Sequence, residues 1–255
     1  RFAAGVVLVL ALGTAAPALG QADATDLFRL GAQELASGLV DKAIETFERA
    51  VQLKGDAKEG WYNLGVAYGR KKLYQKEILA YQKALELDPN YANALHNLGL
   101  AYLDLGQRDK AIDSLGKASK VDPNATDAWN NLGVALLEKG EPVLAIDALR
   151  KATAAAPGSA EAQLNLGIAL MRAAEKETGT ARRDPILREA IKANEDALAA
   201  DPKYFRACYN KAILHHRLGE FDSELAAYRQ ALAIKPDYAA ALYNIAAILS
   251  GRDDK

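Results

Sequence analysis

Residues 61–68 read WYNLGVAY, and the pattern returns as LHNLGLAY from Leu95, WNNLGVAL from Trp129 and QLNLGIAL from Gln163, each 34 residues after the last. Upstream, LFRLGAQE from Leu27 stands 34 residues before Trp61; downstream, CYNKAILH at Cys208 follows after 45 and LYNIAAIL at Leu242 restores 34. Seven occurrences in register mark an internal repeat, and that repeat decides the fold class.

The second half of the period repeats too: AIETFERA, EILAYQKALELDP, AIDSLGKASKVDP, AIDALRKATAAAP, AIKANEDALAADP and ELAAYRQALAIKP occupy corresponding places. Pro89, Pro123, Pro157, Pro202 and Pro236 close five of these stretches. Proline cannot continue a helix and biases its predecessor to extended backbone, so each marks a boundary. Gly38, Gly106, Gly140 and Gly219 interrupt the middle of their repeats, where a turn must separate two helices. Each repeat therefore reads helix, turn, helix, turn, at 24–57, 58–91, 92–125, 126–159, 160–204 and 205–238, with a terminal capping helix and tail at 239–255.

This pattern resembles the tetratricopeptide repeat (TPR) family, whose W-L-G-Y…A-F-A-P signature is visible in Trp61, Leu64, Gly65, Tyr68, Tyr81, Ala84 and Pro89. The next repeat shows Leu98, Gly99, Tyr102, Ala111, Ala118 and Pro123. The resemblance covers about residues 24 to 255 and implies an all-α, right-handed superhelical solenoid of antiparallel helix pairs. It also implies a concave groove that binds protein.

With positions counted from the start of each repeat (Lys58 in the second), positions 4, 7, 8 and 11 form an inward stripe on the first helix. Glycine at position 8 costs about 1 kcal/mol against alanine in a helix interior, so its recurrence needs a reason. A close approach of the partner helix, carrying Ala43, Ala111, Ala145 or Ala190, is expected to supply it. Glu77 and Glu224 take that alanine's place, which predicts local splaying or a carboxylate reaching solvent. Cys208 takes the Trp or Leu place and reads as a buried structural thiol.

Position 6 holds Asn63, Asn97, Asn131, Asn165, Asn210 and Asn244. At about 100° per residue it lies off the packing stripe, on the face that in the family lines the groove. A carboxamide offers donor and acceptor together, matching the backbone of an extended peptide. Position 5 adds Tyr62, His96, Tyr209 and Tyr243, rings that would grip side chains of a bound segment. Inter-repeat hydrogen bonding is the alternative role for the same asparagines. Arg29 replaces Asn in the first repeat, so the ladder is expected to end there. In the family, notably in the repeats of protein O-linked N-acetylglucosamine transferases, such ladders hold extended polypeptide. A basic clamp for acidic chaperone tails is disfavoured, because the corresponding groove places hold Asp127 and Asn131, with Glu59 and Glu161 nearby.

The fifth repeat is eleven residues over the period, around MRAAEKETGTARRDP. Its first helix is expected to run to about Thr178 and end at Gly179, with Asp184 and Pro185 as N-cap and first residue of the next. The insertion reads equally as a contact site or a tolerated loop. The terminal helix is apolar on several sides, and exposed Ile248 with its neighbours would support weak self-association.

The first twenty-two residues differ in kind. Phe2 to Leu12 is apolar but short of the about 20 residues a bilayer requires. With Pro17 and the small residues Ala18, Gly20 and Ala22 it reads as a signal peptide cleaved after Gly20 or Ala22, or alternatively as an N-terminal membrane anchor. A secreted, periplasmic location follows, with no membrane contact after cleavage. The net charge of −1 supplies no field for nucleic acid or anionic lipid. The single cysteine excludes an intrachain disulfide or a cysteine metal cage. His215 and His216 are adjacent and cannot form an i, i+4 metal pair, and no phosphate loop or catalytic triad can be singled out. No cofactor, metal or catalytic residue is expected. The sequence reads as a non-catalytic scaffold for protein or peptide in envelope complex assembly, with a holdase for exported chains or a non-catalytic subunit of an envelope enzyme complex as alternatives.

Overall fold

The computed structural model describes residues 23–253, so the segment read as a signal or anchor lies outside the described residues. The chain is all-α, with no strand among the described residues, and it divides into two compact parts at Asp122/Pro123. The first part holds α1 (Ala24–Ala36), α2 (Val40–Leu53), α3 (Lys58–Arg70), α4 (Tyr74–Leu87), α5 (Ala92–Asp104) and α6 (Arg108–Val121). The second holds α7 (Thr126–Lys139), α8 (Pro142–Ala155), α9 (Ala160–Ala174), α10 (Thr180–Ala200), α11 (Phe205–Leu218), α12 (Phe221–Ile234) and α13 (Ala239–Asp253). Within each part every helix packs on the one before it in sequence.

The helix ends follow from local chemistry. Asp88, Asp122, Ala156, Asp201 and Lys235 cap their helices with ψ between 85° and 97°, the extended geometry a following proline enforces. Gly38, Gly106, Gly140 and Gly219 turn between paired helices at φ of 78°, 69°, 83° and 74°. In the second repeat the corresponding residue is Lys72, at φ 58°. A side chain in left-handed backbone costs about 1–2 kcal/mol, and glycine's extra freedom in the unfolded chain returns about 0.4–1 kcal/mol of that. Lys72→Gly is therefore expected to raise stability modestly, by about 0.5–1 kcal/mol. Denaturant unfolding of the two proteins checks the sign, and a lowered midpoint would show that Lys72 is not strained.

The recurrent helical glycines receive a bulky side chain rather than an alanine. A Cβ on Gly31 would lie 2.8 Å from the Phe47 ring, on Gly65 2.5 Å from Tyr81, on Gly99 2.6 Å from Leu115 and on Gly133 2.4 Å from Leu149. The alanines expected to cause the close approach contribute only backbone, as Ala111 O does 3.4 Å from the Gly99 site. In the fifth repeat the inserted side chain is polar: Asn194 Nδ2 lies 2.4 Å from the Gly167 site.

Glu77 and Glu224 neither splay their helices nor reach solvent. They are 4% and 3% exposed. Position 12 of the first helix makes room or provides a partner, being Gly69, where a Cβ would meet Glu77 Oε1 at 2.6 Å, and His216, whose Nδ1 lies 3.0 Å from Glu224 Oε2. Where position 20 is alanine, position 12 is Leu35, Leu103, Leu137 or Met171. The volume lost on one helix is thus filled from the other.

The insertion also differs from its sequence reading. α9 stops at Ala174, and α10 starts at Thr180 and runs straight through Pro185, reaching 21 residues where α8 has 14. Proline in the second turn of a helix forfeits one backbone bond, and here the carbonyl that loses its partner belongs to exposed Ala181. In α13, Ile248 is half-buried against the cluster of Ala227, Tyr228 and Ala241, while Leu242, Tyr243 and Leu249 are the exposed large apolar residues. Cys208 is fully buried, and burial pushes its thiol up, which keeps it in the unreactive form.

Candidate functional site

The asparagine positions sit on the first helix of each repeat and differ sharply in what surrounds them. Tyr62 on α3 is 2% exposed, not displayed to a groove. Its ring packs against Tyr81 and Tyr91 with centroids 5.9 and 5.3 Å apart, and its hydroxyl accepts a 3.1 Å hydrogen bond from Asn97 Nδ2 on α5. The same constellation recurs in the second part of the chain. Tyr209 lies 5.6 Å from Tyr228 and 5.0 Å from Tyr238, and Asn244 Nδ2 donates to the Tyr228 hydroxyl at 2.8 Å and to that of Tyr209 at 3.5 Å. Burial pushes the Tyr62 phenol up and that of Tyr228 up to about 12, so both stay protonated.

Between α7 and α9 the same link is made by amides. Asn165 Nδ2 donates to Asn130 Oδ1 at 2.9 Å, and Asn130 Nδ2 donates onward to Glu161 Oε1 at 3.4 Å. In all three links the asparagine at position 6 bonds position 5 of the preceding repeat, 35 residues earlier. Each bond is worth about 0.5–1.5 kcal/mol net. Fixed at one offset, they also set the register of the repeats. Asn63 shows the rule by its exception: the residue 35 positions before it is Phe28, which cannot bond, and Asn63 Oδ1 is buried without a partner.

The six carboxamides thus do not form one open wall. Asn63 and Asn97 are buried at 4% and 6% exposure. Asn131, Asn165 and Asn210 are half-buried on α7, α9 and α11, and Asn244 is half-buried and bonded to tyrosines. Asn210 follows Leu164 in its stack, so its carboxamide has no side-chain acceptor or donor at that place. Among the aromatics, His96 and Tyr209 are half-buried, and Tyr243 is 75% exposed. Tyr91 and Tyr238 cover the equivalent Tyr62 and Tyr209. The signal for the inter-repeat bonds was present as Tyr62–Asn97, Asn130–Asn165 and Tyr209–Asn244, each a polar residue followed by asparagine at an interval of 35.

Beside the half-buried asparagines lie the half-buried position-9 residues Val134, Ile168 and Ile213. Asp127 and Glu161 are exposed at position 2 of α7 and α9. This face offers carboxamides, aliphatic patches and carboxylates in alternation, the requirements for holding backbone, side chains and basic groups of a polypeptide. Among the described residues no cluster of three or more His, Cys, Asp and Glu side chains is placed to hold a metal.

A family model described as tetratricopeptide repeat matches residues 96–160 and 187–248, and another described as TPR repeat matches 74–106. Comparison with curated proteins finds no match. Among solved structures, MamA is similar at 29% identity and TM-score 0.60, over 69% of this chain and 97% of that one. YrrB, described as a TPR protein with an unusual peptide-binding site, is similar at 24% identity and TM-score 0.66, over 79% and 98%. The pilF protein of Pseudomonas aeruginosa is similar at 17% identity and TM-score 0.68, over 88% and 96%. The last two likenesses are of fold.

Proposed function

The chain belongs to the tetratricopeptide repeat family, and from that membership we propose that it is a non-catalytic protein-interaction scaffold holding an extended polypeptide along α7, α9 and α11. The observation that carries the reading is the half-buried set Asn131, Asn165 and Asn210, one on each first helix and each beside an aliphatic residue. Asn165 spends its N–H on Asn130, which leaves its carbonyl to accept from a bound backbone N–H. The exposed Asp127 and Glu161 favour a segment carrying lysine or arginine. The apolar stretch Phe2–Leu12 supports action in the cell envelope, where such a scaffold would serve complex assembly. A holdase for exported polypeptides is the second reading, favoured by carboxamides that read backbone and not sequence.

The test is the triple variant Asn131→Ala, Asn165→Ala and Asn210→Ala in a pull-down from native envelope fraction with mass spectrometry. Three lost hydrogen bonds amount to about 1.5–4.5 kcal/mol, on the order of 10- to 1,000-fold in affinity. Helix content at the assay temperature serves as the fold control. One dominant partner lost with the variant supports a dedicated scaffold, and many weak partners lost together support a holdase. Full retention of partners by a folded variant overturns this face as the site.

A further inference from the structure

Position 4 of the first helix is tryptophan in two repeats, and both indoles are used in the same way. Trp61 Nε1 donates to Gly55 O at 2.8 Å, and Trp129 Nε1 donates to Pro123 O at 3.0 Å, each carbonyl lying six residues upstream. Lys151 holds its ammonium 4.3 Å from the Trp129 ring centroid. In the repeat between them position 4 is Leu95. Leucine is smaller than tryptophan and has no N–H, and here the first part of the chain has an open groove of about 790 Å³. Leu85 and Val121 give it apolar sides over a floor of Leu95, Leu98 and Tyr102, which are 5%, 6% and 8% exposed. Pro89, six residues before Leu95, and Lys117, at the same 22-residue interval that separates Lys151 from Trp129, also line it.

We propose that this groove is a docking site for a tryptophan side chain of a partner polypeptide. The carbonyl of Pro89 accepts the indole N–H, as Gly55 and Pro123 do for the chain's own tryptophans, and Lys117 lies over the ring as Lys151 does. The rim carries Lys110, Lys117 and Lys120 against Asp109 and Asp113; Lys117 and Asp113 pair at 2.7 Å and cancel, which leaves Lys110 and Lys120 against Asp109. The occupant therefore carries acidic residues beside its tryptophan. It is not a second copy of this chain, whose two tryptophans are both spent internally. The pocket includes none of the position-6 asparagines, so this site is separate from the face proposed above.

The experiment titrates the full chain with acetyl-Glu-Trp-Glu-amide carrying 5-fluorotryptophan, followed by fluorine NMR. Saturable binding in the millimolar range is expected. It should weaken about tenfold for the 1-methyltryptophan peptide, which cannot donate, and for acetyl-Lys-Trp-Lys-amide. Leu95→Trp should fold, since Trp61 and Trp129 occupy the same place in their repeats, and should weaken binding at least about tenfold by taking the place and the Pro89 carbonyl that the partner's indole would use. Lys117→Ala, at an exposed position that leaves the helix intact, should weaken binding several-fold. Absence of saturable binding, equal affinity for the methylated or the lysine peptide, or unchanged binding to folded Leu95→Trp would each overturn the proposal. The triple asparagine variant should bind the peptide like the natural chain, so the two sites stand or fall separately.

Discussion

Asn194→Leu is expected to stabilise the protein by about 1–3 kcal/mol, seen as a higher denaturant midpoint. Asn194 is fully buried at the place where Leu115 and Leu149 insert against glycine in neighbouring repeats. Its Nδ2 returns to Ala190 O of its own helix at 2.7 Å, and its Oδ1 has no partner. A buried carbonyl without a donor carries its full desolvation cost, and removing it with an apolar group of similar size recovers that cost. Ala190 O keeps its helical bond, and the Gly167 surface already accepts a side chain at the distance leucine uses on Gly133. A lowered midpoint would mean that the packing around Gly167 is shaped for an amide and rejects leucine's branched end.

Two glycines inside helices are expected to respond to alanine with opposite signs. Propensity alone favours alanine by about 1 kcal/mol at each. Gly116 on α6 has nothing within 4 Å of where a Cβ would stand, so Gly116→Ala should realise that gain. At Gly65 the new Cβ would lie 2.5 Å from the Tyr81 ring, which is 1% exposed and cannot swing aside. Overpacking of this kind costs about 1–3 kcal/mol, so Gly65→Ala should destabilise despite its better helix propensity. Combining it with Tyr81→Ala should cost less than the sum of the two single changes, because the clash vanishes with the ring. Additive losses, or a gain at Gly65, would show that α3 and α4 separate freely enough to admit the methyl group.

The repeats were legible because their signals are local. The 34-residue period, the prolines after each second helix and the turn glycines act through the backbone of the residues that carry them, and the structure places positive φ at all four turn glycines named. The buried state of Cys208 was equally readable from its place in the stripe. The reading of α10 failed because Pro185, exposed in its second turn, costs the helix one bond without ending it. The glycine sockets were assigned to the wrong neighbour, since a position repeat cannot say which side chain of the facing helix enters the gap. Glu77 and Glu224 were misread for a related reason: their accommodation depends on Gly69 and His216, one helix away.

The candidate site divides along the same line. Sequence alone determined that asparagine recurs at one position of a helix whose packing stripe lies elsewhere. Only the tertiary structure decided which of those asparagines remain open. Asn97 and Asn244 are drawn to tyrosines, Asn165 gives up one group to Asn130, and Asn210 meets Leu164 and keeps both. A residue's place on a helix face is set by its own spacing at about 100° per residue. Its burial and its bonds are set by whatever the adjacent repeat presents across the interface, and equivalent positions there hold different side chains.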